Sequence, residues 1–353
     1  MNPVYKKLAL HLDKIPNGFP CTESGVEQKI LEKLFTSDEA EMALEMSLEP
    51  ESAKSIAART GRNEREVFKA LKGMVKKGLI DLEKGKGELV FKLIPFVVGF
   101  YEKQNATLDE EFSRLFEEYY HEALYKMMTI KPSVHRVIPV EETIPVNIDI
   151  MPYERASHYI NQAKSWGVLR CICRVQKSMI GEGCHHEIEN CIALSSRVNQ
   201  FDKTDHIRAI TQQEALEILK QCNEAGLVHS TNNVQEGVDY ICNCCTCSCG
   251  VLRGVSEYGS LNAVARSDFF VQIDESLCTG CGVCVDRCQF NALKMVDETA
   301  AADLTFCFGC GLCVTTCPSH ALRLIKKPDS EIEEPPASEE DWRELRLKAR
   351  KLT

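Results

Sequence analysis

Eight cysteines toward the C-terminal end carry the most specific spacing in the chain. Cys278, Cys281, Cys284 and Cys288 recur 29 residues later as Cys307, Cys310, Cys313 and Cys317. Each set reads C-x2-C-x2-C-x3-C, which lets three thiolates wrap one iron–sulfur cube while the fourth turns to the neighbouring cube. That logic assigns Cys278, Cys281, Cys284 and Cys317 to one [4Fe–4S] cluster, and Cys307, Cys310, Cys313 and Cys288 to the other. Gly280, Gly282, Gly309 and Gly311 stand between ligands, where a missing Cβ permits tight turns that bring amide N–H groups to sulfur. A zinc site needs four Cys or His ligands in all, and two runs of four overshoot it. One irregularity stands out: Pro318 follows Cys317, but Gln289 follows Cys288.

The repeat IDESLCTGCGVCVDRCQFNAL followed by ADLTFCFGCGLCVTTCPSHAL resembles the bacterial two-cluster ferredoxins. The resemblance implies a dicluster domain over residues 266–328 that moves electrons.

A second cysteine set lies in the middle of the chain. LRCICRVQKSMIGEGCHHEIENC supplies Cys171, Cys173, Cys184 and Cys191, and ICNCCTCSCGVLRGV supplies Cys242, Cys244, Cys245, Cys247 and Cys249. Strand alternation would put Cys245, Cys247 and Cys249 on one face. Two such segments brought together could hold a third iron–sulfur cluster, with Arg170, Arg174 and Lys177 offsetting thiolate charge. Structural zinc and a redox-active dithiol are the competing readings. A Rieske centre through His185 and His186 needs two Cys–His pairs on separate loops, and only one CHH is present. Cys222 and Cys21 read as ordinary packed or surface cysteines. The CxCR segment, the EALEIL…GLVH helix and the NCC segment ahead of a dicluster module resemble a set of cysteine-rich ferredoxin-like proteins of anaerobes. That resemblance implies electron transfer in anaerobic metabolism.

The composition agrees with a metal-binding protein. The chain has 353 residues, 19 cysteines and a formal net charge of −10. All the cysteines but Cys21 fall between residues 171 and 317. The N-terminus has neither an apolar core nor a small-residue cleavage site, so the expected location is the cytoplasm, where clustered cysteines point to metals rather than disulfides. No apolar run is long enough to span a bilayer. The acidic balance disfavours a general nucleic-acid binder.

The elements around these cysteines predict an α+β multidomain chain. Residues 1–100 are expected to form a winged-helix-like domain. In it Val26, Ile30, Leu31, Leu34 and Phe35 mark a helix, a second helix runs from Pro50 to Arg59, and Asn63 caps a third over Glu64–Lys77. A hairpin with Lys84-Gly85-Lys86-Gly87 at its tip follows. The phrase VFKALKGMVKKGLI resembles the winged helices of small transcription regulators. Arg62, Arg65, Lys69, Lys72, Lys76, Lys77, Lys84 and Lys86 would form a DNA footprint, although protein docking is the favoured role. Residues 101–152 read as an amphipathic helix over 107–128 followed by extended linker or short strands. A cysteine-rich domain with a possible third metal site is expected over 153–265, including a helix capped by Thr211. A tail over 329–353 is expected to be extended until a short helix around Trp342–Lys351. No GxGxxG or GxxxxGK[ST] occurs, so nucleotide chemistry is not expected. The leading function is therefore an electron-transfer protein or subunit that passes low-potential electrons to a partner oxidoreductase. A redox-responsive DNA-binding regulator and an oxidoreductase with a substrate at the middle cluster are the alternatives.

Overall fold

Capping side chains set the helices of the N-terminal region. In a computed structural model, which describes residues 2–85, 87–145, 150–204 and 206–352, Thr36 and Glu39 form a capping box at the start of Ser37–Leu44. Ser52 caps Ala53–Thr60, and Asn63 accepts from the amides of Arg65 and Glu66 at the start of Glu64–Lys76. Gly61 and Gly78 take positive φ where these helices end. Strands β1 (Ile80–Lys84) and β2 (Leu89–Leu93) then pair antiparallel. Lys86, at the expected hairpin tip, lies outside the described residues.

The chain forms two compact units. One comprises residues 1–127, 176–182 and 346–353, and the other residues 128–175 and 183–345. The first unit has an aromatic core in which the Tyr101 and Phe116 rings stack at 4.1 Å and Phe96 packs edge-on to Phe19. The helix expected over 107–128 runs from Glu110 to Tyr119 and widens into a π turn at Tyr120–Leu124. In the same unit, Arg346 is fully buried and donates to the carbonyls of Pro16 and Met127, while Arg350 binds Asp13 just past the Pro3–Leu12 helix. Cations placed on carbonyls at a helix C-terminus are favoured by its dipole.

The second unit is built on a seven-stranded sheet. Its strands are β3 (His135–Ile138), β4 (Ser165–Arg170), β5 (Glu189–Ser195), β6 (Arg208–Ile210), β7 (Val228–Asn232), β8 (Tyr240–Cys244) and β9 (Val264–Ala265). The order is β6-β4-β5-β8-β7-β3-β9, antiparallel except for the β3–β9 pair. The stretch read as linker or short strands thus contributes an interior strand, and Val146–Asp149 lie outside the described residues. The helices Ala156–Gln162 and Gln212–Glu224, the latter with a Thr211–Glu214 capping box, cover one face through Ile160, Val168, Ile192, Leu194, Ala215 and Ile241. Period-two alternation sends Cys191, Cys242 and Cys244 to the other face.

The C-terminal part of this unit has four further strands. β10 (Phe269–Ile273) pairs with β13 (Leu322–Lys326), and β11 (Leu293–Val296) pairs with β12 (Thr299–Ala302). The tail beyond it is tied down rather than free. The Gln235 and Glu236 amides donate to Pro336 and Ala337, the Trp342 indole donates to Ser133, and the terminal helix begins at Glu339.

A buried charge cluster holds β3 in place. Arg136 pairs with Glu154 and lies 3.7 Å from Asp268, with the Tyr153 ring 4.7 Å from its guanidinium carbon. Burial raises the Glu154 pKa from 4.5 to about 7, against the pull of Arg136. A carboxyl raised in the folded state binds a proton there that the unfolded chain releases, so its contribution to stability falls as pH rises from 4.5 to about 7. Arg136→Met strands Glu154 as a buried anion and should cost about 3–5 kcal/mol at pH 8. In anaerobic chemical denaturation the loss should be smaller at pH 6, where Glu154 keeps its proton. An equal loss at both pH values would rule out this account.

Candidate iron–sulfur and thiolate sites

The two cysteine runs of the C-terminal part occupy equivalent loops. Cys278, Cys281 and Cys284 lead into the helix Val283–Arg287, and Cys307, Cys310 and Cys313 lead into Leu312–Thr315. Gly280 and Gly309 hold positive φ, and a Cβ at either would strike a carbonyl oxygen, of Glu298 at 2.4 Å and of Phe269 at 2.2 Å. These turns therefore require glycine.

The sulfur atoms separate into two neighbourhoods. A cavity of about 310 Å³ is lined by Cys288, Cys307, Cys310 and Cys313 together with Val271, Phe290 and Leu293. Cys284 has Cys281, Cys317 and Cys278 as its charged neighbours, and its thiol pKa is raised first by burial and then by them. Cys288 thus lies with the second run, and Cys317 with the first. The Cys313 thiol is likewise raised by burial and by sulfur neighbours that include Cys284, so the two sets adjoin.

Backbone amides point at sulfur, as cluster ligation requires. Ala300 donates to Cys278 Sγ at 3.4 Å, Ala292 to Cys288 Sγ at 3.2 Å and Ala321 to Cys317 Sγ at 3.3 Å. Eight thiols in two sets, a sulfur-lined cavity and amide donors together fit two iron–sulfur cubes.

The irregular Gln289 forms a joint. Its Oε1 accepts from both the amide and the hydroxyl of Thr246 at 3.0 Å, and its Nε2 donates to the Gly226 carbonyl at 3.1 Å. Arg287 beside it donates to the carbonyls of Asn223 and Glu224 at the end of a helix. Val140 N–H also donates to the Cys310 carbonyl at 2.9 Å. The second cysteine loop is thereby fastened to the sheet.

The nine middle cysteines fall into two groups, not one. Backbone extension ends at Cys244, and Cys249 N–H then bonds to the Cys245 carbonyl in a helical turn. The expected common face of Cys245, Cys247 and Cys249 is therefore not present, because strand alternation stops before them. Cys184, Cys245 and Cys247 bring their sulfurs within 4.8 Å of one another. Ser248 Oγ lies 3.7 Å from Cys184 Sγ, and Cys222 is buried beside this trio with Leu227 and Cys245. His186 is close enough to feel the charge of Cys247, although burial and His185 hold its pKa down. The remaining six, Cys171, Cys173, Cys191, Cys242, Cys244 and Cys249, gather at the end of β4, β5 and β8.

Of the three expected cations, Arg174 reaches the thiols. It is buried and donates to the carbonyls of Glu187 and Asn243. Cys171, Cys245, Cys191 and Cys244 act on its charge. Lys177 instead pairs with Glu117 and Glu182, and Arg170 is exposed at the end of its strand. Sequence reasoning missed Gln289 and Thr246 as joint residues, although the break with Cys-Pro at Gln289 was the available signal.

The 4Fe-4S binding domain model matches residues 271–294 and 301–323. No curated protein and no solved structure matches the chain. The two matched segments support two [4Fe–4S] clusters and an iron–sulfur electron-transfer role in general. The Cys184, Cys245 and Cys247 group could bind a further metal. No described helix is long and apolar enough to cross a membrane.

Gln289→Ala removes three hydrogen bonds from the joint and should weaken it locally by roughly 1–3 kcal/mol. Hydrogen exchange of the segment around Thr246 should quicken while iron content stays constant. Unchanged exchange there would show that Gln289 does not fasten the two parts.

Proposed function

We propose that the protein carries low-potential electrons between a partner oxidoreductase and its own cysteine-rich interior. Cys278, Cys281, Cys284 and Cys317 would ligate the outer cluster, and Cys307, Cys310, Cys313 and Cys288 the inner one. When bound, the clusters supply one-electron redox chemistry.

One asymmetry carries this reading. Cys281 is exposed, and Leu277 and Val283 flank it at 49 % and 41 % exposure. Cys307 and Cys313, in contrast, are buried under the chain's own Phe290 and Phe308. An exposed apolar rim around a ligand loop suits transient docking by a redox partner. On the inner side, Gln289 and Thr246 give a short hydrogen-bonded connection from Cys288 to Cys245 and Cys247. The amides of Ala292, Ala300 and Ala321 stabilise negative charge on sulfur and thereby tune the potential.

For residues 1–100 we favour a winged-helix-like docking module over a DNA reader. The order helix, helix, hairpin supports the winged-helix reading. Two of the basic side chains on or beside the third helix are already paired, Arg62 with Glu45 at 3.0 Å and Lys77 with Glu39 at 2.8 Å. That reduces the charge available to phosphates.

Cys281→Ser combined with Leu277→Glu should slow reduction of an external electron acceptor at least tenfold. Electron paramagnetic resonance of the dithionite-reduced protein should show the outer cluster altered and the inner one retained. An unchanged rate would reject the proposed entry point. A salt-resistant gel shift with DNA that depended on redox state would favour the regulator instead.

A further inference from the structure

The six thiols at the end of the sheet play no part in the electron path proposed above. We propose that Cys171, Cys173, Cys249, Cys244, Cys242 and Cys191 together hold a polynuclear iron–sulfide cluster. This site is separate from the ferredoxin pair and from the Cys184, Cys245 and Cys247 trio.

The sulfur contacts close into a ring. Cys171 is in hydrogen-bonding reach of Cys173 and Cys191, and Cys173 of Cys171 and Cys249. Cys249 reaches Cys244, Cys244 reaches Cys242, and Cys242 reaches Cys191. Each thiol thus has a sulfur neighbour on either side. A single tetrahedral ion with metal–sulfur bonds near 2.3 Å instead needs four thiolates in mutual contact at about 3.8 Å. A ring surrounds a space, and a cluster fills it with metal and inorganic sulfide while thiolates cap its outer metals. The trio has the other geometry, with all three sulfurs in mutual reach.

Strand register builds the ring from distant parts of the chain. Ile192 pairs with Ile241, which sets Cys191 beside Cys242 on the neighbouring strand. Ser230 pairs with Cys242, and its hydroxyl lies 3.7 Å from Cys244 Sγ. Cys171 and Cys173 arrive from the end of β4, and Cys249 from the helical turn after β8.

Arg174 shows that the site is built for negative charge. It is 2 % exposed, and its Nε has no hydrogen-bond partner. Its two hydrogen bonds to carbonyls leave its positive charge to be balanced by sulfur, with Cys171, Cys191 and Cys244 of the ring among the groups that act on it. Six neutral thiols would leave a buried guanidinium uncompensated. Six thiolates with one arginine would be strongly anionic, and bound iron supplies the missing positive charge.

Iron and acid-labile sulfide should be measured on the full-length chain purified without oxygen, together with 57Fe Mössbauer spectra. The wild type should exceed the about eight irons of two cubes by about four or more, with matching sulfide. Cys173→Ala with Cys242→Ala removes opposite members of the ring and should lose that excess while keeping the ferredoxin signal. Cys245→Ala should keep the excess. Wild-type iron of no more than about eight would overturn the proposal even if the ring variant failed to fold. So would zinc without added sulfide, or three disulfides among the six cysteines.

Discussion

Thiolates held side by side repel one another, and this constraint shapes the second unit. Eighteen of the nineteen cysteines lie in it. The two loops near the C-terminus meet the constraint locally, with glycine turns and amides aimed at sulfur. The middle region meets it globally, through strand register and one buried guanidinium. Where neither device suffices, the charge has to be balanced by bound metal. The sheet, its covering helices and the Arg136 cluster then serve as a frame that keeps sulfur atoms from moving apart.

The buried Arg136, Glu154 and Asp268 group illustrates how that frame resists the repulsion. It ties β3 to the turn at Pro152–Glu154 and to the entry of β10. The same stretch of chain reaches the inner cysteine loop through Val140. A rigid link between the sheet and that loop keeps Thr246 and Gln289 in register with each other.

Local features were legible in the sequence, and long-range ones were not. The 29-residue repeat could be read because its ligands are neighbours along the chain. Asn63 and Thr211 could be read as caps because a cap acts within three residues. The division of the middle cysteines could not be read. It depends on where β8 stops, and neither glycine nor proline marks the change at Cys244 from extended chain to helical turn. Cys191 gives no local hint that it meets Cys242, because only the pairing of β5 with β8 brings them together. β3 was ambiguous because all four of its residues are buried, which leaves no alternation to detect. Lys177 looked like a partner for thiolates because it lies close to them in sequence, but Glu117 holds it from far along the chain.

The joint at Gln289 also decides what kind of traffic the C-terminal part can carry. A free-standing carrier with two equivalent cluster faces can accept from one protein and deliver to another at opposite ends. Here the chain's own Thr246, Gly226 and Val140 occupy the inner face. A visitor finds only the Cys281 side open. The module therefore behaves as a socket wired to a fixed load rather than as a shuttle, and every exchange with the outside has to use the same door in both directions.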